Sequence, residues 1–407
     1  MGVVNGVVEG VGKPAICEAG HILVITAEFY RVATGSAVVM RNLLAQFAPE
    51  SFTVLTREVA PQLSADVPPD IRVLTVRIDP PFTTRGERYW RDLAHPYIKR
   101  RIKRIVQRVR PALILAVYPT LHIFSAAIEA AEANGIPWVA YMHDTLAEQY
   151  RDTKHERWAE DVQHKVFTSA GAILVTGRGM VDLYRAKHSV ECRPLEIGYC
   201  EPIPTTLAPP PAGVPYVFMG GTIYGVNKEA VVRTMQGAEQ AGARFRLAIP
   251  ASWAFLKKLG IQQQNAERVY YASRKEYLEA LFKQHILAVA LNWPDECSIP
   301  QDELATAFPT RAVEYLASGQ PILVHCPENY FLARFFHEHE CGIVVSTRDI
   351  AALTAAIRTL VNGGPEVERL RCNALRAARI FAIDRIRTRL KQELENAVRR
   401  FPAPVRR

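Results

Sequence analysis

Apolar and polar positions along the chain fall into one repeating rhythm, a short unbroken apolar run followed by a helical stretch. From His21 the run HILVITA leads through a loop into the helical segment SAVVMRNLLAQF. FTVLT, RVLTVRI, ALILAV, WVAYM and AILVT follow as further strands, most of them separated by helical segments. Strands that alternate with amphipathic helices build parallel sheets. The rhythm stops at EPIPTTLAPPPAGVP, residues 201–215, where six prolines and no period mark a linker. It restarts with YVFMG, RFRLAIP, RVYYA, ILAVALN, PILVHC and GIVV as strands, and helices from Asp349, Pro365 and Asp384 close the chain.

The expected fold class is therefore α/β, with two doubly wound Rossmann-like domains and an interdomain cleft. Residues 1–20 read as a flexible tail, 21–200 as the first domain, 201–215 as the linker, and 216–380 as the second domain. Residues 381–407 read as a C-terminal helix. Ligands of such sheets bind at the carboxyl ends of the strands, so the chemistry is sought there.

Composition changes this picture little. The 407 residues are 49% hydrophobic and 22% charged, which suits two ordinary cores. No apolar run is long enough to span a bilayer, and the N-terminus lacks the basic start and apolar block of a signal peptide. The seven cysteines are scattered without a CxxC pair, which points to a reducing cytoplasm and away from a structural zinc site. Charge is more informative. The net charge is +9, and residues 85–110 alone hold ten Lys or Arg against Glu87 and Asp92. An anionic partner, such as a membrane surface, is expected there, as is peripheral attachment. A solvated helix on a sheet has the same pattern.

The strand ends carry the candidate chemistry. In FPTRAVEYLASGQPILVHC, residues 308–326, Pro309 suits a first helical position, and the free N–H groups of that turn form an anion site beside Arg311. Glu314 stands one turn after Thr310 on the same face, where a carboxylate accepts the paired hydroxyls of a ribose. An ordinary helix with a surface Arg311–Glu314 pair fits the same letters. In YVFMGGTIYGVNKEAVVRTM, Gly220 and Gly221 end a strand, and Asn227 and Lys228 begin a helix. Paired glycines let backbone N–H groups approach a phosphate, with Lys228 as countercharge; the alternative is a common βα turn. Gly35 and Ser36 open the first helix, and His143 and Asp144 follow the strand WVAYM. The lack of a third glycine in LVTGRGMVDLY sets aside a dinucleotide fingerprint.

With these residues in place, the chain resembles the GT-B glycosyltransferases of the retaining group 1 family, from His21 to about Val398. The resemblance implies that Glu314 holds the nucleotide ribose and that Thr310 and Arg311 face the diphosphate. It assigns Gly220, Gly221 and Lys228 to the glycine turn and its diphosphate cation, with Asn227 where relatives often carry a second basic residue. It assigns Gly35 to the first domain's Gly-rich loop, His143 to the surroundings of the transferred sugar, and the last helix to a return toward the first domain. Many relatives carry a second glutamate eight positions before the one at 314. Here that position is Thr306, with Asp302 and Glu303 just upstream.

The implied activity is transfer of a hexose-type sugar from a nucleoside diphosphate to a glycan, lipid-linked or other hydroxyl acceptor, with retention. His143, Lys228 and Arg311 would be the catalytic set. No cofactor and no metal are expected, because no Asp-x-Asp pair occurs, and no nucleic-acid partner is implied. An inverting enzyme with His143 or Asp144 as base, a nucleotide-sugar epimerase or phosphorylase, and a non-catalytic sugar-nucleotide-binding subunit are the alternatives.

Overall fold

The computed structural model describes residues 13–30, 35–57, 70–76, 87–249, 251–261 and 266–400, with the backbone alone for 87–90. Seven strands precede the linker: β1 (Ile22–Ile25), β2 (Phe52–Thr56), β3 (Val73–Thr75), β4 (Leu113–Tyr118), β5 (Trp138–Met142), β6 (Ala172–Val175) and β7 (Arg193–Pro194). They form one sheet in the order β3-β2-β1-β4-β5-β6-β7. Between them run α1 (Gly35–Leu44), α2 (Glu87–Val109), α3 (Leu121–Ala133), α4 (Glu156–Ser169) and α5 (Arg178–His188).

Six strands follow the linker: β8 (Tyr216–Gly220), β9 (Arg244–Ala248), β10 (Glu267–Val269), β11 (Ile286–Ala290), β12 (Ile322–His325) and β13 (Ile343–Val345). Their order is β10-β9-β8-β11-β12-β13, and every described pairing is parallel. The order reverses between β8 and β11, the point where a doubly wound sheet opens a crevice. The helices are α6 (Lys228–Gln240), α7 (Trp253–Lys258), α8 (Arg274–Leu281), α9 (Gln301–Thr306), α10 (Thr310–Ser318), α11 (Phe331–Glu338), α12 (Ile350–Asn362), α13 (Pro365–Ala378) and α14 (Ile383–Arg400). The apolar strands are buried along their length in β1, β2, β4, β5, β6, β11 and β12. Helices on both faces require that.

The chain forms two compact units. The first gathers the described residues up to Tyr141, Lys165–Ile173, and the chain from Arg387; the second holds Met142–His164 and Leu174–Ile386. The sheets divide at the linker, whereas the units do not. Within the first unit, Lys391 of α14 pairs with Glu18.

Three expectations need correction. The part of the expected flexible tail that is described, from Lys13, is packed rather than loose. Ile16 and Cys17 are buried, and the Pro14 carbonyl accepts the Ala48 N–H at 2.9 Å. Residues 1–12 lie outside the described set. Pro309 is the cap before α10 and not its first residue, with an extended ψ of 135°. The expected strand RVYYA ends at Val269, and Tyr270 beyond it is exposed.

Candidate functional site

In the second unit, α10 is positioned by its own sequence. Ala312, Val313, Tyr315, Leu316 and Ala317 are buried, and Gly319 closes the helix at φ 64°, a left-handed turn that favours glycine. Pro309 has no side-chain acceptor, so no side chain caps the first turn. The N–H groups of Thr310 and Arg311 are therefore left to whatever anion arrives.

Glu314 is buried, at 7% exposure, and its Oε1 lies 2.8 Å from Arg274 Nη1 at the start of α8. The surface pairing with Arg311 that the sequence allowed is not made. Burial alone would lower the Arg274 pKa, but the Glu314 charge beside it more than offsets this and holds it raised. Arg311 instead folds over the glycine turn: its Cζ lies 3.2 Å from where a Cβ at Gly221 would sit, and its Nη2 donates to the Thr222 carbonyl at 3.3 Å.

That turn works differently from the expectation. The Gly220 N–H donates to the Tyr315 hydroxyl at 2.8 Å, and the Gly221 N–H to the Ala248 carbonyl at 3.0 Å. Neither amide is left for a phosphate. The two residues are glycine for space and conformation: a Cβ at Gly220 would meet Tyr277 Oη at 2.4 Å, and Gly221 holds φ +89°. The turn lets Arg311 and two tyrosines close over the strand end.

Asn227 is also spent internally. It is buried, its Oδ1 accepts the Tyr224 N–H at 3.0 Å, and its Nδ2 donates to the Thr222 carbonyl at 3.3 Å. Its amide, which holds the turn, does not stand in for a cation. Lys228 begins α6 and lies 2.9 Å from Glu229, both about a third exposed or more. Such a pair contributes little and exchanges readily for a stronger anion. Thus Gly220, Gly221, Asn227 and Arg311 meet around the Thr222 carbonyl, with Thr310 and Lys228 at the adjoining helix starts.

His143 follows β5, and its carbonyl accepts the Thr176 hydroxyl at 2.9 Å. Its Nε2 is shut off from water, and burial pulls the imidazole down to a pKa of about 3, so the ring is neutral. The next residues connect to α9. Thr145 donates through both its N–H (3.0 Å) and its hydroxyl to Glu303 Oε2. Burial raises the Glu303 carboxyl, and these hydrogen bonds oppose the rise. The charges of Arg311, Asp144 and Glu303 all act on the hydroxyl of Tyr224 in the glycine loop. Thr306 turns its hydroxyl back to the carbonyls of Asp302 and Glu303. Gly35 opens α1 in the first unit and is exposed; residues 31–34 before it lie outside the described residues.

The sequence reading missed Arg274, Tyr277, Tyr315, Asn292 and Glu303. Asn292 follows β11 and pins the glycine loop, accepting from Ala230 N–H at 3.0 Å and donating to the Gly225 carbonyl at 2.9 Å. A signal for Arg274 did exist. Ser273 caps α8 and Glu276 reaches back to the Ala272 N–H, the pattern of a helix start, which places an arginine at a strand end.

Residues 34–197 match the glycosyl transferase 4-like domain. That match covers the first part of the chain, and the fold of the whole is of GT-B type. The two-sheet fold is similar to that of sucrose-phosphate synthase from Thermosynechococcus elongatus. The two share 15% identity at a TM-score of 0.68, over 92% of this chain and 98% of that one. It is similar to Anabaena HepE, solved with UDP and glucose, at 13% identity and a TM-score of 0.66, over 92% and 98%. WaaG, a glycosyltransferase involved in lipopolysaccharide biosynthesis, is similar at 13% identity and a TM-score of 0.61, over 92% and 99%. No curated protein matches the chain by sequence.

Proposed function

We propose that this protein is a glycosyltransferase that moves a sugar from a nucleoside diphosphate to an acceptor hydroxyl with retention of configuration and without a metal. The observation that carries the reading is Glu314, a buried carboxylate with one oxygen on Arg274 and Oε2 left to accept a hydroxyl, one turn inside an uncapped helix start. A nucleoside diphosphate offers both groups, ribose hydroxyls and a dianion. Arg311, Lys228 and the first-turn N–H groups would stabilise the diphosphate as the anomeric carbon gains positive charge. That anomeric bond lengthens, the acceptor oxygen approaches from the same face, and its proton passes to the departing phosphate oxygen. Cationic side chains then do the work a divalent ion does elsewhere.

A neutral His143 with a pKa of about 3 is a weak proton acceptor, which favours this route over inversion with His143 as base. Similarity to HepE, solved with UDP and glucose, supports a nucleotide-sugar donor, and similarity to WaaG supports a role in glycan or lipopolysaccharide-type synthesis. The test is a thermal-shift screen of nucleotide sugars followed by turnover of the binder, with the product anomer read by NMR. Retained configuration and activity in EDTA are expected. An inverted product, donor-only turnover, or manganese dependence would each overturn part of the reading.

A peripheral membrane site belongs to the same proposal, carried by α2. Ile98, Ile102 and Val106 bury one face of α2, while Arg100, Arg101, Lys103, Arg104 and Arg108 are exposed and have no ion pair among the described residues. Leu93 and Tyr97 stand 75% and 50% exposed on the same helix. No helix among the described residues is long and apolar enough to cross a membrane. Cations beside exposed apolar side chains suit an anionic lipid surface.

A further inference from the structure

Glu303 has no place in the donor site described above, yet it is among the most connected side chains near it. Its Oε2 takes both hydrogen bonds of Thr145, and Gln149 donates to the same carboxylate. Thr145 is fully buried and directly follows Asp144. The next two amides are held in the same manner: Leu146 N–H donates to Tyr184 Oη on α5 at 3.1 Å, and Ala147 N–H to Gln163 Oε1 on α4 at 3.0 Å. Three successive backbone amides given to side chains hold an irregular segment in one conformation, since each would otherwise be a buried orphan.

Neighbouring charges strengthen the same junction. Asp302 receives Lys187 at 2.6 Å and Arg151 at 3.0 Å, so α9 is also tied to α5 and to the chain just after the segment. Glu303 differs from Tyr184 and Gln163 in one respect. It sits on α9, and only residues 307–309 separate α9 from Thr310, Arg311 and Glu314 on α10. Glu303 therefore joins Thr145 directly to the helix that leads into α10, beside the ties that Tyr184 and Lys187 of α5 make to the same region.

We propose that Glu303 is a positioning residue, which through Thr145 sets the segment bearing His143 and Asp144 in register with the donor-facing start of α10. The proposal rests on the transferase reading given above. Misplacing a sugar-facing segment by about 1 Å costs up to about a hundredfold in rate while leaving binding of the distant nucleotide largely intact. The role therefore shows in kcat and not in donor KM.

The experiment compares Glu303→Ala, Glu303→Gln, Thr145→Val and the double variant Glu303→Ala/Thr145→Val. It measures donor kcat and KM, with hydrogen exchange at the Thr145, Leu146 and Ala147 amides. Glu303→Ala is expected to lower kcat by about tenfold or more, with donor KM within about threefold and clearly faster exchange at Thr145. Glu303→Gln keeps an acceptor for Thr145 and should restore most of kcat. The double variant should be no slower than Glu303→Ala, because Glu303→Ala alone already removes both bonds to Thr145. Wild-type kcat in folded Glu303→Ala, a loss confined to KM, or additive losses would overturn the proposal. Should Glu303→Ala fail to fold, Thr145→Val decides it, since wild-type kcat and exchange there would also overturn it. Absence of turnover by the unmodified protein on every nucleotide sugar would instead sink the transferase reading, and exchange in Glu303→Ala would still decide whether the clamp exists.

Discussion

At Gly221 the backbone itself limits what the position accepts. Its φ of +89° is strained for any L side chain, and a Cβ would press on the Arg311 guanidinium at 3.2 Å. Gly221→Ala should lower unfolding free energy by about 1–3 kcal/mol, as read by urea denaturation, and should weaken donor binding by moving Arg311. Lys228 faces charge that grows as the anomeric bond breaks, so Lys228→Ala should lower kcat by about a hundredfold with stability unchanged. Buried histidines set the pH dependence. His325 is 1% exposed, donates from Nδ1 to the Val345 carbonyl at 2.9 Å, and accepts Arg233 Nε–H at Nε2. Burial lowers its pKa from 6.5 to about 4. The unfolded chain therefore takes up this proton first, so the stabilisation is complete above 6.5 and is lost as pH falls toward 4. Denaturation midpoints should drop over that window, and His325→Asn should flatten the slope. At this scale the sequence showed which residue types stand at the strand ends but not what they touch. Glu314 stood out in the sequence as a candidate, whereas the partner it meets, Arg274, lies on another helix. The glycine pair was legible as a turn, but its amides are consumed by Tyr315 and Ala248, contacts that only the folded sheet creates.

Among the elements, α10 was readable because its apolar spacing, its proline and its terminal glycine agree. The one-residue error at Pro309 follows from proline's fixed φ, which serves a cap and a first helical residue equally. Edge strands were the hardest. β7 has two residues and β10 three, too few to show any period. Helix α2 shows the opposite limit: its charge was plain in the sequence, but the exposure of Leu93 and Tyr97 was not. The α2 proposal predicts that vesicles with about 30% anionic lipid pellet the protein at low salt and that neutral vesicles do not. Reversing Arg100 and Arg104 to Glu should abolish pelleting while leaving the thermal midpoint in place. Equal binding to both kinds of vesicle would remove the proposal.

On the scale of the whole molecule, alternation of apolar runs and helices revealed two parallel sheets and the break between them. It did not reveal the compact units, because Lys165–Ile173 and the chain from Arg387 belong with the first unit although they lie within or after the stretches that form the second. The account's central claim is that α10 of this protein receives a nucleotide-sugar donor through Glu314. It is tested most directly by donor-saturation kinetics of Glu314→Ala, with folding checked by circular dichroism and thermal melting. A hydrogen bond to a charged group contributes about 1.5–3 kcal/mol, and one made equally in ground and transition states appears in KM. The account predicts a loss of roughly tenfold to a hundredfold in kcat/KM for the donor, mostly through KM, with acceptor KM little changed. Wild-type donor kinetics in a folded Glu314→Ala protein would contradict it.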